Sequence, residues 1–340
     1  MNRTKTGSHI LTRIFVILSV LSLTAALSGC TQASAGQESA EKRLSVVTTI
    51  FPEYDWVRSI AGDRAESMDI TLLLDNGADL HSYQPTADDI LKLSSADLFI
   101  YVGGESDAWV DDALKNAVNK DMVVIDLLDT LGDRVREEEI VEGMEAEEEP
   151  EEEEGPEEEE GPEYDEHVWL SLNNASILCG AISDAMQKLD PDHADIYRKN
   201  CASYQEKLSA LDSRYREMVN AAPRDTILFG DRFPFRYLTE DYGLKYYAAF
   251  VGCSAETEAS FETVVFLAGK MDELSLPAIL VIDGSDQRIA GTIRDNTAAG
   301  DQQILVMDSL QSTTAADIAN GTTYLSAMEY DLATLSLALQ

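Results

Sequence analysis

Positive charge is scarce in this 340-residue chain: 25 Lys and Arg stand against 63 Asp and Glu, for a formal charge of −38. Nucleic acid is therefore an unsuitable partner, because phosphate binding needs clustered Lys and Arg. Cysteine is scarce as well. The four cysteines form no Cys-x-x-Cys, so neither a cysteine zinc site nor a thioredoxin-like redox centre has support. No Gly-x-Gly-x-x-Gly or P-loop lysine motif is present, which leaves nucleotide binding without a signature, and no His-Glu-x-x-His or Gly-x-Ser-x-Gly supplies a hydrolytic one. An enzyme is accordingly not expected. Histidine is limited to His9, His81, His167 and His193. Their placement is the most informative feature of the chain.

The N-terminus carries Arg3, Lys5 and Arg13, then an apolar run from Ile14 to Leu27, then Leu27-Ser28-Gly29-Cys30. That run is shorter than the ~20 apolar residues of a bilayer span, and small residues precede the cysteine as at a cleavage site. Residues 1–29 therefore read as a signal peptide, so His9 leaves with it. Leu27-Ser28-Gly29-Cys30 resembles a bacterial lipobox, which implies lipidation of Cys30. Residues 30–43 follow as a flexible tether rich in Ser, Ala, Gly and Gln. The expected location is extracytoplasmic, lipid-anchored to the bacterial cell membrane.

About 310 residues remain, enough for two domains. Short apolar, β-branched runs alternate with helical patterns twice over, so the expected fold class is α/β with parallel sheets joined by crossover helices. Strands are expected at Leu44–Phe51, Met68–Leu74, Leu98–Val102 and Met122–Leu127, and again at Thr226–Phe229, Lys245–Phe250, Ala278–Ile282 and Ile304–Met307. The domains are an N-terminal α/β unit over 44–189 and a C-terminal one over 222–340. Between them Asp190 and Pro191 open a helix over 190–221, with Tyr204, Leu208, Leu211, Tyr215 and Met218 along one face. Cys179 and Cys201 lie on two helices at similar distances from that turn, where an antiparallel pair would let them face each other as a disulfide or as buried thiols. Residues 137–166 hold 19 Asp or Glu and no Lys or Arg. Such a run repels itself, and 137–164 is expected to be a disordered acidic insertion, acting either as a weak metal collector or as a solvated loop.

Ligands of open α/β sheets gather beyond the carboxyl ends of strands. His81, Asp231, Asp283 and Asp308 all follow predicted strands, and imidazole with carboxylate suits Zn²⁺ or Mn²⁺. The segments Val46-Val47-Thr48-Thr49-Ile50-Phe51-Pro52, Gly77-Ala78-Asp79-Leu80-His81-Ser82-Tyr83, Ala96-Asp97-Leu98-Phe99-Ile100-Tyr101, Asp165-Glu166-His167-Val168-Trp169-Leu170-Ser171 and Asp241-Tyr242-Gly243-Leu244 span nearly the whole mature chain. With them the chain resembles the zinc/manganese-type substrate-binding lipoproteins of bacterial ABC importers.

That resemblance implies two α/β domains joined by one long rigid helix, with a divalent cation in the cleft between them. The protein would be a monomer that delivers the metal to a membrane permease driven by a separate ATPase subunit. Zinc is the expected cargo, with manganese as the alternative. A surface adhesin or interaction lipoprotein, which would need no metal, is a further alternative that the anchor and the acidic loop favour. Carried over by position, the metal ligands fall on His81, His167 and Asp308. The remaining ligand departs from the pattern: where similar proteins carry His or Glu three residues before a Phe-x-Tyr, this chain has Arg232, which cannot ligate a cation. Asp231, a water, or Glu256 or Glu258 are the open substitutes.

Overall fold

The computed structural model describes residues 43–145, 163–254 and 258–340. The signal peptide, Cys30 and nearly all of the tether lie outside these residues, as does the centre of the acidic run. The first sheet is formed by β1 (Ser45–Thr48), β2 (Asp69–Leu72), β3 (Leu98–Tyr101) and β4 (Val123–Asp126) in the order β2-β1-β3-β4, all parallel. The second contains β5 (Thr226–Phe233), β6 (Lys245–Val251), β7 (Ala278–Ile282) and β8 (Gln303–Met307) in the order β6-β5-β7-β8, again all parallel. Near-continuous apolar runs such as Leu98-Phe99-Ile100 and Ala278–Ile282 are buried throughout, as strands covered by helices on both faces must be. The expected α/β architecture is therefore present in both halves.

The linking helix is Ala194–Ala221, preceded by a 3-10 turn at Pro191–His193. Its 28 residues give a rod of roughly 42 Å at ~1.5 Å per residue. Asp190 makes no side-chain cap to it; its carboxylate is taken by the His193 ring at 2.9 Å and by the Tyr197 hydroxyl. Tyr204, Leu208, Leu211 and Tyr215 are buried, and Met218 is partly buried against the same core. That core contains side chains of both halves, from Val46 and Trp56 to Leu280 and Tyr324. A smaller cluster lies in the second half around Leu228, Ile279 and Ile293.

One expectation narrows and another changes in this frame. Cys179 and Cys201 do meet across the helix pair Leu172–Leu189 and Ala194–Ala221, but as free buried thiols. The Cys201 thiol donates to the Cys179 carbonyl at 3.4 Å, so the sulfur is aimed at backbone and not at its neighbour's sulfur. The ends of the acidic run are also structured. Glu137 bridges Tyr164, the Glu145 amide donates to the Ala249 carbonyl, and Glu139 accepts from the Tyr246 hydroxyl at 3.3 Å. A run that cannot collapse on itself is thus tethered at both ends by the second half and by Arg236, whose guanidinium approaches Glu139.

Candidate metal centre

His81 sits beyond the carboxyl end of β2 in the 3-10 turn Leu80–Ser82. Asp79 caps that turn, its Oδ1 accepting the His81 amide at 3.0 Å. His167 opens a second 3-10 turn, Val168–Leu170, just ahead of the helix Leu172–Leu189. This second segment is fixed by the C-terminal half. The Trp169 indole donates to the Ser309 carbonyl at 2.9 Å, Tyr324 Oη donates to the Trp169 carbonyl at 2.6 Å, and Tyr237 Oη donates to the Asp165 carbonyl at 2.8 Å. His167 is fully buried and His81 nearly so.

The two rings face each other, with Nε2 to Nε2 at 3.1 Å. The other nitrogen of each is occupied. His167 Nδ1 donates to Asp165 Oδ1 at 2.9 Å, and His81 Nδ1 lies 2.8 Å from Ser106 Oγ and 3.5 Å from Glu166 Oε2. Carboxylate behind a ligating imidazole fixes its tautomer and raises its basicity. Asp165 leaves the His167 Nε2 lone pair aimed at His81 Nε2, and with the proton of each ring on Nδ1 both lone pairs would share one space that a cation could occupy. Two nitrogens bonded at ~2.0 Å to a tetrahedral zinc would stand roughly 3.3 Å apart, close to the observed separation. Burial, with the His167 ring next in importance, holds the His81 imidazole well below its usual proton affinity, so the ring is neutral and competent as a donor.

A third donor joins them. The Cys253 sulfur and one nitrogen of each ring all lie within 4.8 Å of one another, the group of this kind found among the described residues. Cys253 follows β6, and its amide donates to Glu138 Oε1 at 3.2 Å. Burial first, then the carboxylates of Asp165, Glu138 and Glu166, raise its thiol above the ordinary range. Gly252 makes the approach possible: a Cβ there would stand 2.8 Å from His167 Cε1 and 3.0 Å from its Nδ1.

Neither carboxylate expected from the sequence joins this group. Asp308 Oδ1 accepts the Leu310 amide at 2.9 Å, while its own amide donates to buried Asp331. Asp231 was expected in a turn after its strand, but β5 continues to Phe233 with a register shift between Phe229 and Arg232. The Asp231 carboxylate consequently receives the neighbouring Arg232 amide at 2.9 Å. Glu258 is exposed, and Glu256 lies outside the described residues. Three residues past Asp308, Gln311 is buried with neither amide atom hydrogen-bonded among the described residues.

Arg232 has a different role from the residue it replaces. Its Nη2 meets Asp79 Oδ2 at 2.6 Å across the cleft, and its Nη1 donates to the Ser254 carbonyl at 3.2 Å. Burial alone would raise Asp79, yet the guanidinium overrides it and holds the carboxyl below its usual range. One cation thus steadies the His81 turn through Asp79 and the Cys253 loop through Ser254.

The family model for zinc-uptake complex component A, periplasmic, matches residues 46–338. The chain belongs to the ZnuA family. Among relatives of that family, the high-affinity zinc uptake system protein ZnuA of Bacillus subtilis is 30% identical over 326 residues, covering 96% of this chain and 97% of the relative. The zinc-binding lipoprotein AdcA of Streptococcus pneumoniae is 32% identical over 303 residues, covering 89% of this chain, which spans 57% of that relative's length. The crystal structure of the Zn(II)-bound ZnuA-like domain of the same AdcA superposes with a TM-score of 0.67 at 29% identity, covering 88% of this chain and 99% of that domain. ZnuA-family membership agrees with the two-half fold and with a histidine pair carried by the N-terminal half and braced by the C-terminal one.

Proposed function

We propose that this protein captures zinc outside the cytoplasm and delivers it to a membrane permease powered by a separate ATPase, while lipid on Cys30 holds it at the membrane. It acts by binding and release and not as an enzyme. The observation that carries this reading is the pair of imidazole Nε2 atoms at 3.1 Å, each ring braced from behind by a carboxylate or hydroxyl. The names of its ZnuA-family relatives support zinc as the cargo. Manganese is the weaker cargo for such a site, because imidazole donors favour zinc over manganese in intrinsic affinity.

The test is calorimetric titration of chelator-stripped protein with zinc and with manganese, beside a His81→Ala/His167→Ala variant. One zinc per chain should bind, at least about tenfold tighter than manganese, and removal of both rings should abolish that event. Equal binding by the double variant would overturn the reading and leave only the carboxylates of the acidic run as the metal-binding groups.

A further inference from the structure

The geometry points to Cys253 as the third metal donor, a thiolate that makes the centre a His81–His167–Cys253 site in place of an all-imidazole and carboxylate one. This inference rests on the capture function proposed above and specifies the class of cargo. Three observations carry it. The sulfur lies within 4.8 Å of one nitrogen of each ring, whereas a tetrahedral zinc with ~2.0 Å Zn–N and ~2.3 Å Zn–S bonds needs roughly 3.5 Å between nitrogen and sulfur. Closing the difference takes a movement on the order of 1 Å in the loop after β6. Gly252, the preceding residue, brings the loop against the His167 ring where any side chain would collide.

The third observation is Arg232. A guanidinium beside two histidines would oppose a cation if it were free, but it is bound to Asp79 and to the Ser254 carbonyl. Arg232 is thus a positioning residue on both sides of the site. It secures the turn that carries His81 and the residue next to Cys253. The loss of a ligand at position 232 and the presence of a thiol at position 253 form one compensated arrangement. On ligation the thiol proton leaves as the metal arrives. A donor set of two imidazoles and one thiolate selects soft and borderline cations, zinc and cadmium among them, and discriminates against manganese, which prefers oxygen.

Zinc-edge X-ray absorption of the full chain in detergent, loaded with one equivalent of zinc, reads the donor set with no substitution. One sulfur at ~2.3 Å beside nitrogens at ~2.0 Å is the expected shell. Titration with cobalt(II) should also give a sulfur-to-cobalt charge-transfer band that Cys253→Ser removes while the visible bands of histidine-bound cobalt persist. The same variant should bind zinc about 10–100-fold more weakly. A shell of nitrogen and oxygen alone, with affinity unchanged in Cys253→Ser, overturns the thiolate assignment and leaves histidine capture standing. Unchanged zinc binding in the His81→Ala/His167→Ala variant would instead remove the capture function itself.

Discussion

Gly252 is the residue whose side chain matters by its absence. Its backbone angle is not in the left-handed region, so Gly252→Ala tests space alone. The added methyl would press on Cε1 and Nδ1 of the His167 ring, the edge that Asp165 holds through Nδ1. Overpacking of this kind costs ~1–3 kcal/mol. The variant should therefore show a lower urea midpoint and at least about tenfold weaker zinc binding; retention of both would mean that the loop yields without disturbing the ring. His81 and His167 were legible in the sequence because histidine is so rare here and because each lies in a recognisable segment. Cys253 was not, since it carries no Cys-x-x-Cys spacing and meets His167 only through the pairing of distant elements. That Asp308 and Asp231 stand outside this group was not legible for a related reason. A carboxylate at a strand end has neighbouring backbone amides to satisfy it, and the sequence does not tell which partner prevails.

At the scale of elements, the strands were legible because buried parallel strands are apolar nearly throughout, and their ends were less so. β5 runs to Phe233, where Phe233 stacks on Tyr246 with ring centroids 3.8 Å apart, and that tertiary contact has no signature within the segment itself. The linking helix was legible from its four-three spacing. Its face should behave as core: Leu208→Ala, which empties a fully buried position, should lower stability by ~2–5 kcal/mol in urea unfolding. Glu206→Ala on the exposed face should change it by less than ~0.5 kcal/mol. Equal effects at the two positions would show that the helix is not packed along that face. The short capping boxes at Thr86 and Thr314 illustrate local rules that hold whatever the surroundings, each threonine hydroxyl accepting the amide of an aspartate three residues on.

For the whole molecule, the concentration of carboxyl groups inside the fold sets a pH dependence. Burial raises Glu53 from 4.5 to about 8 and Asp107 from 3.8 to about 7, although backbone amides donate to both. Between the ordinary and the raised values the folded protein keeps protons that the unfolded chain has released. Their contribution is thus fully present below about pH 4 and is lost as pH rises to about 8. His81, shifted downward, acts in the opposite sense only below its ordinary 6.5, so the interval above it isolates the carboxyls. Urea midpoints of metal-free protein at constant ionic strength should fall from pH 6.5 to 8.5, and a rise would contradict the assignment. The two-half plan was legible from the repeated alternation of strands and helices, whereas the shared core was not, because hydrophobic pattern does not reveal which helix covers which sheet. One contact across the halves has a kinetic meaning. Asp79 and Arg232 belong to different halves and meet at 2.6 Å, so movement of the two halves apart at this edge would have to part them. For the zinc capture proposed above, such a tie would slow spontaneous escape of the ion, and a docking partner offering its own charges to this pair would release it.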